Sequence, residues 1–117
     1  MTASSHSPAP AWFVTGTDTE VGKTFVTCAL LLALKGQGVK AVGMKPVAAG
    51  TNEHGCNDDV EALIAASGVV APRELVNPYL FHPAIAPHIA AIEEGRSIDI
   101  DRIVDSFDTL RSLADAV

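Results

Sequence analysis

From residue 22 to about residue 35 the chain reads GKTFVTCALLLALK, apolar on almost every side, and the pattern then breaks at Gly36-Gln37-Gly38. Such a run predicts a buried helix stopped by glycine, with Cys28 serving as packing inside it. The run before it, AWFVT at residues 11–15, is short, apolar and followed by glycine, which suits a strand buried on both faces of a parallel sheet. A second strand is expected to open at residue 39 in VKAVGMK and to end at Pro46, because proline cannot donate to a sheet ladder. Strand, helix and strand make one βαβ unit.

Polar residues dominate TNEHGCNDD, a loop whose Asp58 or Asp59 is a candidate cap for a helix in DVEALIAASG. ELVNPYLFHPAIAPH carries three prolines and is expected to be extended or irregular, leading to a short helix near residues 88–94. The clearest periodicity comes last. Ile100, Ile103, Val104, Phe107 and Leu110 recur at steps of three and four, with Asp101, Arg102, Asp105 and Asp108 between them. LADAV then starts like another buried strand.

These elements predict an α/β fold, a parallel sheet flanked by helices in three layers. Residues 1–10, small, polar and proline-bearing, are expected to be a flexible tail, and residues 11–117 the N-terminal part of one domain. Such a sheet needs more strands than these residues supply to bury its faces and edges.

Composition narrows the function classes. Of 117 residues, 48 % are hydrophobic and 19 % charged, a globular balance, and the formal net charge of −6 argues against a general nucleic-acid binder. No apolar run is long enough to span a bilayer and no secretory layout opens the chain, so a cytoplasmic protein is expected. Cys28 and Cys56 form no C-x-x-C pair, and His54, Cys56 and Asp58 match a metal-ligand spacing only loosely.

The chemistry sits between the first strand and the first helix. VTGTDTEVGKT ends in Gly22-Lys23-Thr24, as does the phosphate-loop motif G-x-x-x-x-G-K-[ST], but Thr17 stands where the motif has its first glycine, and Gly16 comes one place early. The context is that of a phosphate loop, because helical N–H groups and the helix dipole attract an anion at that end. Lys23 is suited to the β- and γ-phosphates of ATP, and the Thr24 hydroxyl to Mg²⁺. The sheet is therefore expected to be of the P-loop NTPase type, and residues 11–117 to be the N-terminal part of a single P-loop ATP-binding domain, truncated at the start of the next strand. Lys45, at the expected end of the second strand, and Asp59 (or Asp58), a hard oxygen donor, stand where parallel-sheet proteins build sites. His82 and His88, each beside a proline, are read as structural.

VTGTDTEVGKT, KPVAAG, NDDVEAL and VNPYLFHPAIAPHIAA, in this order, resemble the N-terminal half of dethiobiotin synthetase, over about residues 12–117. In that family the early glycine is normal. The resemblance implies an enzyme that converts 7,8-diaminononanoate, CO₂ (or bicarbonate) and MgATP into dethiobiotin, ADP and phosphate. The route passes through an N-carbamate and a carbamic-phosphoric anhydride. It implies that Glu20, Val21, Gly22, Lys23, Thr24 and Phe25, with Asp59, hold ATP, and that Thr24 and Asp59 bind Mg²⁺. Thr19, Lys45 and Ala49 face the diamine, Lys45 and Lys23 are catalytic, and the enzyme is a homodimer. Where this chain has Ala49 the family commonly has serine, and Thr51 is the candidate replacement for that hydroxyl. The family's EGAGG-type stretch, whose glutamate completes the Mg²⁺ site, would be expected just after Val117.

Three other readings share these residues. One is a cobyrinate-type amide-forming synthetase, which has a similar early-glycine loop. Another is a partitioning ATPase, whose loop tends to carry an extra lysine early, where residues 16–21 have none. The third, expected of the isolated 117 residues because sheet and metal site are both incomplete in them, is a nucleotide-binding fragment without catalysis of its own.

Overall fold

The computed structural model describes residues 9–15 and 20–117, with five helices and two strands among them: α1 (Glu20–Gly36), β1 (Val47–Ala49), α2 (Asp58–Ala66), α3 (Arg73–Val76), β2 (Tyr79–Phe81), α4 (Pro87–Glu93) and α5 (Ile100–Leu113). The class is α/β as expected. β1 and β2 pair in parallel, Val47 opposite Tyr79 and Ala49 opposite Phe81.

α1 ends as its glycines foretell. The Val39 N–H reaches back to the Leu34 carbonyl and the Gly38 N–H to that of Lys35, each at 3.0 Å, while Gly38 takes φ +79°. This is a Schellman stop, in which a left-handed residue closes the last turn. The expectation that α1 is buried all round is corrected. Leu31 is buried against Ala41, Leu63, Ala66 and Ala116, with Cys28 and Leu34 half-buried beside it, but Phe25, Val26, Leu30 and Leu32 are exposed. Only one stripe of the helix faces α2, its one extensive helix partner here.

Both expected strands shift. Residues 11–15 form no strand: the Trp12 N–H donates to the Val117 carbonyl and the Val117 N–H to that of Pro10, each at 3.1 Å. That is a parallel pairing, confined among the described residues to Pro10 and Trp12 against Val117. Residues 39–45 hold a single parallel bridge, Ala41 to Ala116, and the named strand begins after Pro46 rather than ending at it. Pro46 sits where its missing N–H is harmless, and its carbonyl accepts from the Tyr79 N–H at 3.0 Å. The strand-like reading of LADAV thus survives as that one bridge.

The proline-rich stretch is more ordered than its composition suggests, since α3 runs into its start and β2 lies inside it. The short helix after it is present as α4, opened by Pro87 in the first turn, where a missing N–H costs nothing. α2 is capped by Asn57, not by Asp58 or Asp59: the Asn57 Oδ1 accepts from the Val60 N–H at 3.1 Å. The two aspartates occupy the first turn instead, where the helix dipole favours negative charge. α5 keeps the expected period, with Leu110 fully buried and Ile103 and Phe107 half-buried, while Ile100 and Val104 remain exposed.

The core lies in three neighbouring clusters. Besides the one under α1, Val42, Ala48, Val60, Val76 and Leu110 form a second, and Tyr79, Phe81, Ala90 and Ala91 a third under α4.

Candidate nucleotide site

The first helical turns of α1 bring Lys23 and Thr24 to the wall of a cavity of about 370 Å³. The segment from Ala41 to Val47, which includes Lys45, lines the same cavity. Two lysines far apart in sequence, Lys23 and Lys45, therefore line one space, and Thr24 is part of the same lining. Trp12, Phe13, Leu30 and Phe107 give the rest of the lining an apolar character.

Lys45 is fixed through its backbone. Its N–H donates to the Val76 carbonyl at 2.9 Å, and its own carbonyl accepts from the Asn77 Nδ2 at 2.8 Å. The side chain, about a quarter exposed, ends 3.8 Å from the Asp59 carboxylate. That separation is beyond hydrogen-bond range and makes the contact a Coulombic pair. The Cys28 thiol, on α1, is pushed up from its ordinary value, first by burial and then by the negative charge of Asp59.

The other candidates distribute as follows. Thr19 lies outside the described residues. Glu20, Val21 and Gly22 form the start of α1, and Phe25, one turn on, points to solvent. Ala49 ends β1, and its methyl packs toward the cluster of Tyr79, Phe81, Ala90 and Ala91. Thr51, the proposed hydroxyl donor, meets the His82 Nδ1 at 3.2 Å. His54, Cys56 and Asp58 form no cluster of metal-binding type among the described residues. Their loop is closed by Asn52, whose Oδ1 accepts from the His54 and Cys56 N–H groups at 2.8 and 3.1 Å.

Sequence reading passed over two residues that the structure places at the centre of this framework, Asn57 and Asn77. Both are buried, at 7 % and 8 % exposure, and both spend their side-chain amides on backbone carbonyls. A signal was present for Asn57, since asparagine ahead of an acidic pair is a strong helix cap. For Asn77, ahead of Pro78, the sequence offered none.

A parallel-sheet α/β domain with a lysine and a threonine at the start of its first described helix is the architecture of a P-loop nucleotide-binding protein. The chain belongs to the AAA domain family, whose model matches residues 11–117. It is 53 % identical over 112 residues to the ATP-dependent dethiobiotin synthetase BioD of Janthinobacterium sp. (strain Marseille), covering 90 % of this chain and 48 % of that protein. The proteins of the same name from Aromatoleum aromaticum and Nitrosospira multiformis are 51 % and 55 % identical over 110 and 106 residues, covering 92 % and 91 % of this chain and 49 % and 46 % of theirs. The chain is homologous to the N-terminal half of these synthetases and spans about half the length of the curated relatives it matches. No described helix is long and apolar enough to cross a membrane.

Proposed function

We propose that this chain is the ATP- and carbamate-holding part of a dethiobiotin synthetase, acting on 7,8-diaminononanoate and CO₂ in a homodimeric, cytoplasmic enzyme. The observation that carries the reading is the meeting of Lys23, Thr24 and Lys45 on one cavity, with Asp59 paired to Lys45. In this reading residues 11–117 are part of a single ATP-binding domain. Glu20, Val21, Gly22, Lys23, Thr24 and Phe25, with Asp59, hold ATP, and the segments that carry Thr19 and Ala49 contact the diamine. Lys45 serves both substrate and chemistry.

The reaction explains why two lysines are needed. An aliphatic amine with an ordinary pKa near 10 must shed its proton before it attacks CO₂, and the carbamate it forms is an anion next to the γ-phosphate, another anion. Lys23 and Lys45 offset the repulsion between them, so that a carbamate oxygen can approach phosphorus. Attack gives a carbamic-phosphoric anhydride and ADP. The second amine then closes the cyclic urea and phosphate leaves.

Thr24 and Asp59 fit Mg²⁺ by the chemistry of their donors, a hydroxyl and a carboxylate. Mg²⁺ commonly takes one or two carboxylates and fills its remaining positions with water and phosphate oxygens. When bound it would supply further positive charge at the phosphates. Asp59 then has two tasks, to ligate the ion and to orient Lys45.

The test is a graft. Residues 11–117 replace the matching segment of the Janthinobacterium synthetase, and diamine-dependent formation of ADP and dethiobiotin is measured. The expected result is turnover by the graft, and a loss of about 10² to 10³ in rate with Lys45→Ala, the usual effect of removing one charge-stabilising donor. A graft that makes no dethiobiotin, or equal turnover with and without Lys45, contradicts the reading.

A further inference from the structure

We infer that Asn57 and Asn77 are positioning residues that together hold the Lys45 ammonium group against the Asp59 carboxylate. Their importance for catalysis rests on the function proposed above; the geometric claim does not. Lys45 and Asp59 belong to segments that sequence separates by β1 and a polar loop, and neither side chain is long enough to fix the distance between those segments. The two asparagines do so from below.

Asn77 acts on the lysine side. Its Nδ2 donates one hydrogen to the Lys45 carbonyl at 2.8 Å and the other to the Tyr79 carbonyl at 2.9 Å. With the Lys45 N–H already given to the Val76 carbonyl, the lysine backbone is bound on both of its polar groups by neighbouring residues of one junction, that between α3 and β2. Asn57 acts on the aspartate side. Its Oδ1 caps α2 through Val60, and its Nδ2 donates to the Gly50 carbonyl at 2.8 Å, with the Ala49 carbonyl at 3.4 Å. The start of α2, and with it Asp59, is thereby tied to the far end of β1.

The result is a closed frame. It runs from Lys45 along β1 to Gly50, across to Asn57, two residues on to Asp59, and back to Lys45 through the ion pair at 3.8 Å. Both amides are buried, so each lost bond would leave a carbonyl short of a partner in a place with little water. The frame fixes the root of a long, flexible lysine and fixes its counter-charge relative to that root.

Capping and clamping use different atoms of Asn57, which makes them separable. Serine caps a helix about as well as asparagine, but its shorter side chain cannot replace the Nδ2 donor to Gly50. The experiment uses the 117-residue chain and a water-soluble carbodiimide, which joins an amine to a carboxylate only when they touch. The Lys45–Asp59 amide is quantified by peptide mass spectrometry and divided by the folded fraction from circular dichroism. The wild-type chain is expected to form this link. Asn57→Ser should keep the helix signal of α2 yet lower the normalised yield at least about fivefold, because intramolecular coupling depends steeply on alignment. Asn77→Ser, which leaves the cap untouched, should lower it by a similar factor.

Unchanged yields in both variants, or no Lys45–Asp59 link in the wild type, would overturn the inference. A pure capping role predicts full yield in Asn57→Ser and is excluded by the expected loss. The link is read without nucleotide. A normal cross-linking pattern in a chain that binds no ATP would therefore count against the function proposed above and leave the clamp standing.

Discussion

Two regions of this molecule look alike by composition and differ in structure. α1 with the segment before it, and β1–β2 with α4, are both rich in apolar residues. Around β1 and β2 those residues are enclosed: Phe81 is 0 % exposed, stacked near Tyr79 and covered by the Arg96 guanidinium, and the strand ends are tied by buried amides. On α1 and residues 11–15, Phe13 and Phe25 are 90 % and 74 % exposed, and Trp12 more than half. Apolar content sets what a segment gains from burial, while burial itself depends on which neighbours the chain supplies. The candidate site lies on the border of the two regions, with Lys23 on the less covered side and Lys45 on the enclosed one.

The comparison breaks most directly through a matched pair of substitutions. Phe81→Ala should cost about 3–5 kcal/mol in denaturant unfolding, the usual cost of emptying a buried aromatic site. Phe25→Ala should stay within about 0.5 kcal/mol of the wild type, as exposed substitutions commonly do. Similar losses in the two would show that α1 is as enclosed as the strands. A smaller effect is expected where the enclosed side turns. Gly50 takes φ +101°, and an added Cβ would sit 3.3 Å from that of Ala84. Gly50→Ala should therefore destabilise the chain by about 1–2 kcal/mol, the strain of a left-handed backbone bearing a side chain. A neutral Gly50→Ala would mean that the end of β1 adjusts freely.

The smallest effect concerns pH at the border. Because burial and Asp59 raise the Cys28 thiol above its ordinary 9.0, the folded chain retains this proton when the unfolded chain loses it. Stability lent by the protonated thiol is complete below pH 9.0 and declines as pH climbs from there through the folded value. The alkylation rate of Cys28 should thus rise with a midpoint above 9.0, and Asp59→Asn should move that midpoint down. A midpoint unaffected by Asp59→Asn would place the aspartate away from α1.

Much of this was readable in advance, for physical reasons that differ by element. α5 announces itself because its period of three and four is the helix's own, and α1 because glycine at Gly38 can take the left-handed turn that stops it. β1 was hidden. Val47, Ala48 and Ala49 include two alanines, weak strand formers, and they become a strand only because Tyr79–Phe81 lies alongside. Lys23 and Thr24 could be picked out from the glycine-lysine-threonine spacing ahead of a helix. The pairing of Lys45 with Asp59, and the amides of Asn57 and Asn77 behind it, could not, since long-range hydrogen bonds leave no local pattern.

The central claim is that Lys23 and Lys45 border a site for ATP. Isothermal titration of the 117-residue chain with ATP, with and without Mg²⁺, tests it most directly, using Lys23→Ala as the comparison. The account predicts saturable binding that Mg²⁺ strengthens and that Lys23→Ala weakens by about tenfold or more, the effect of losing a hydrogen bond to a charged group. No binding by the wild-type chain, or equal binding by Lys23→Ala, would contradict it.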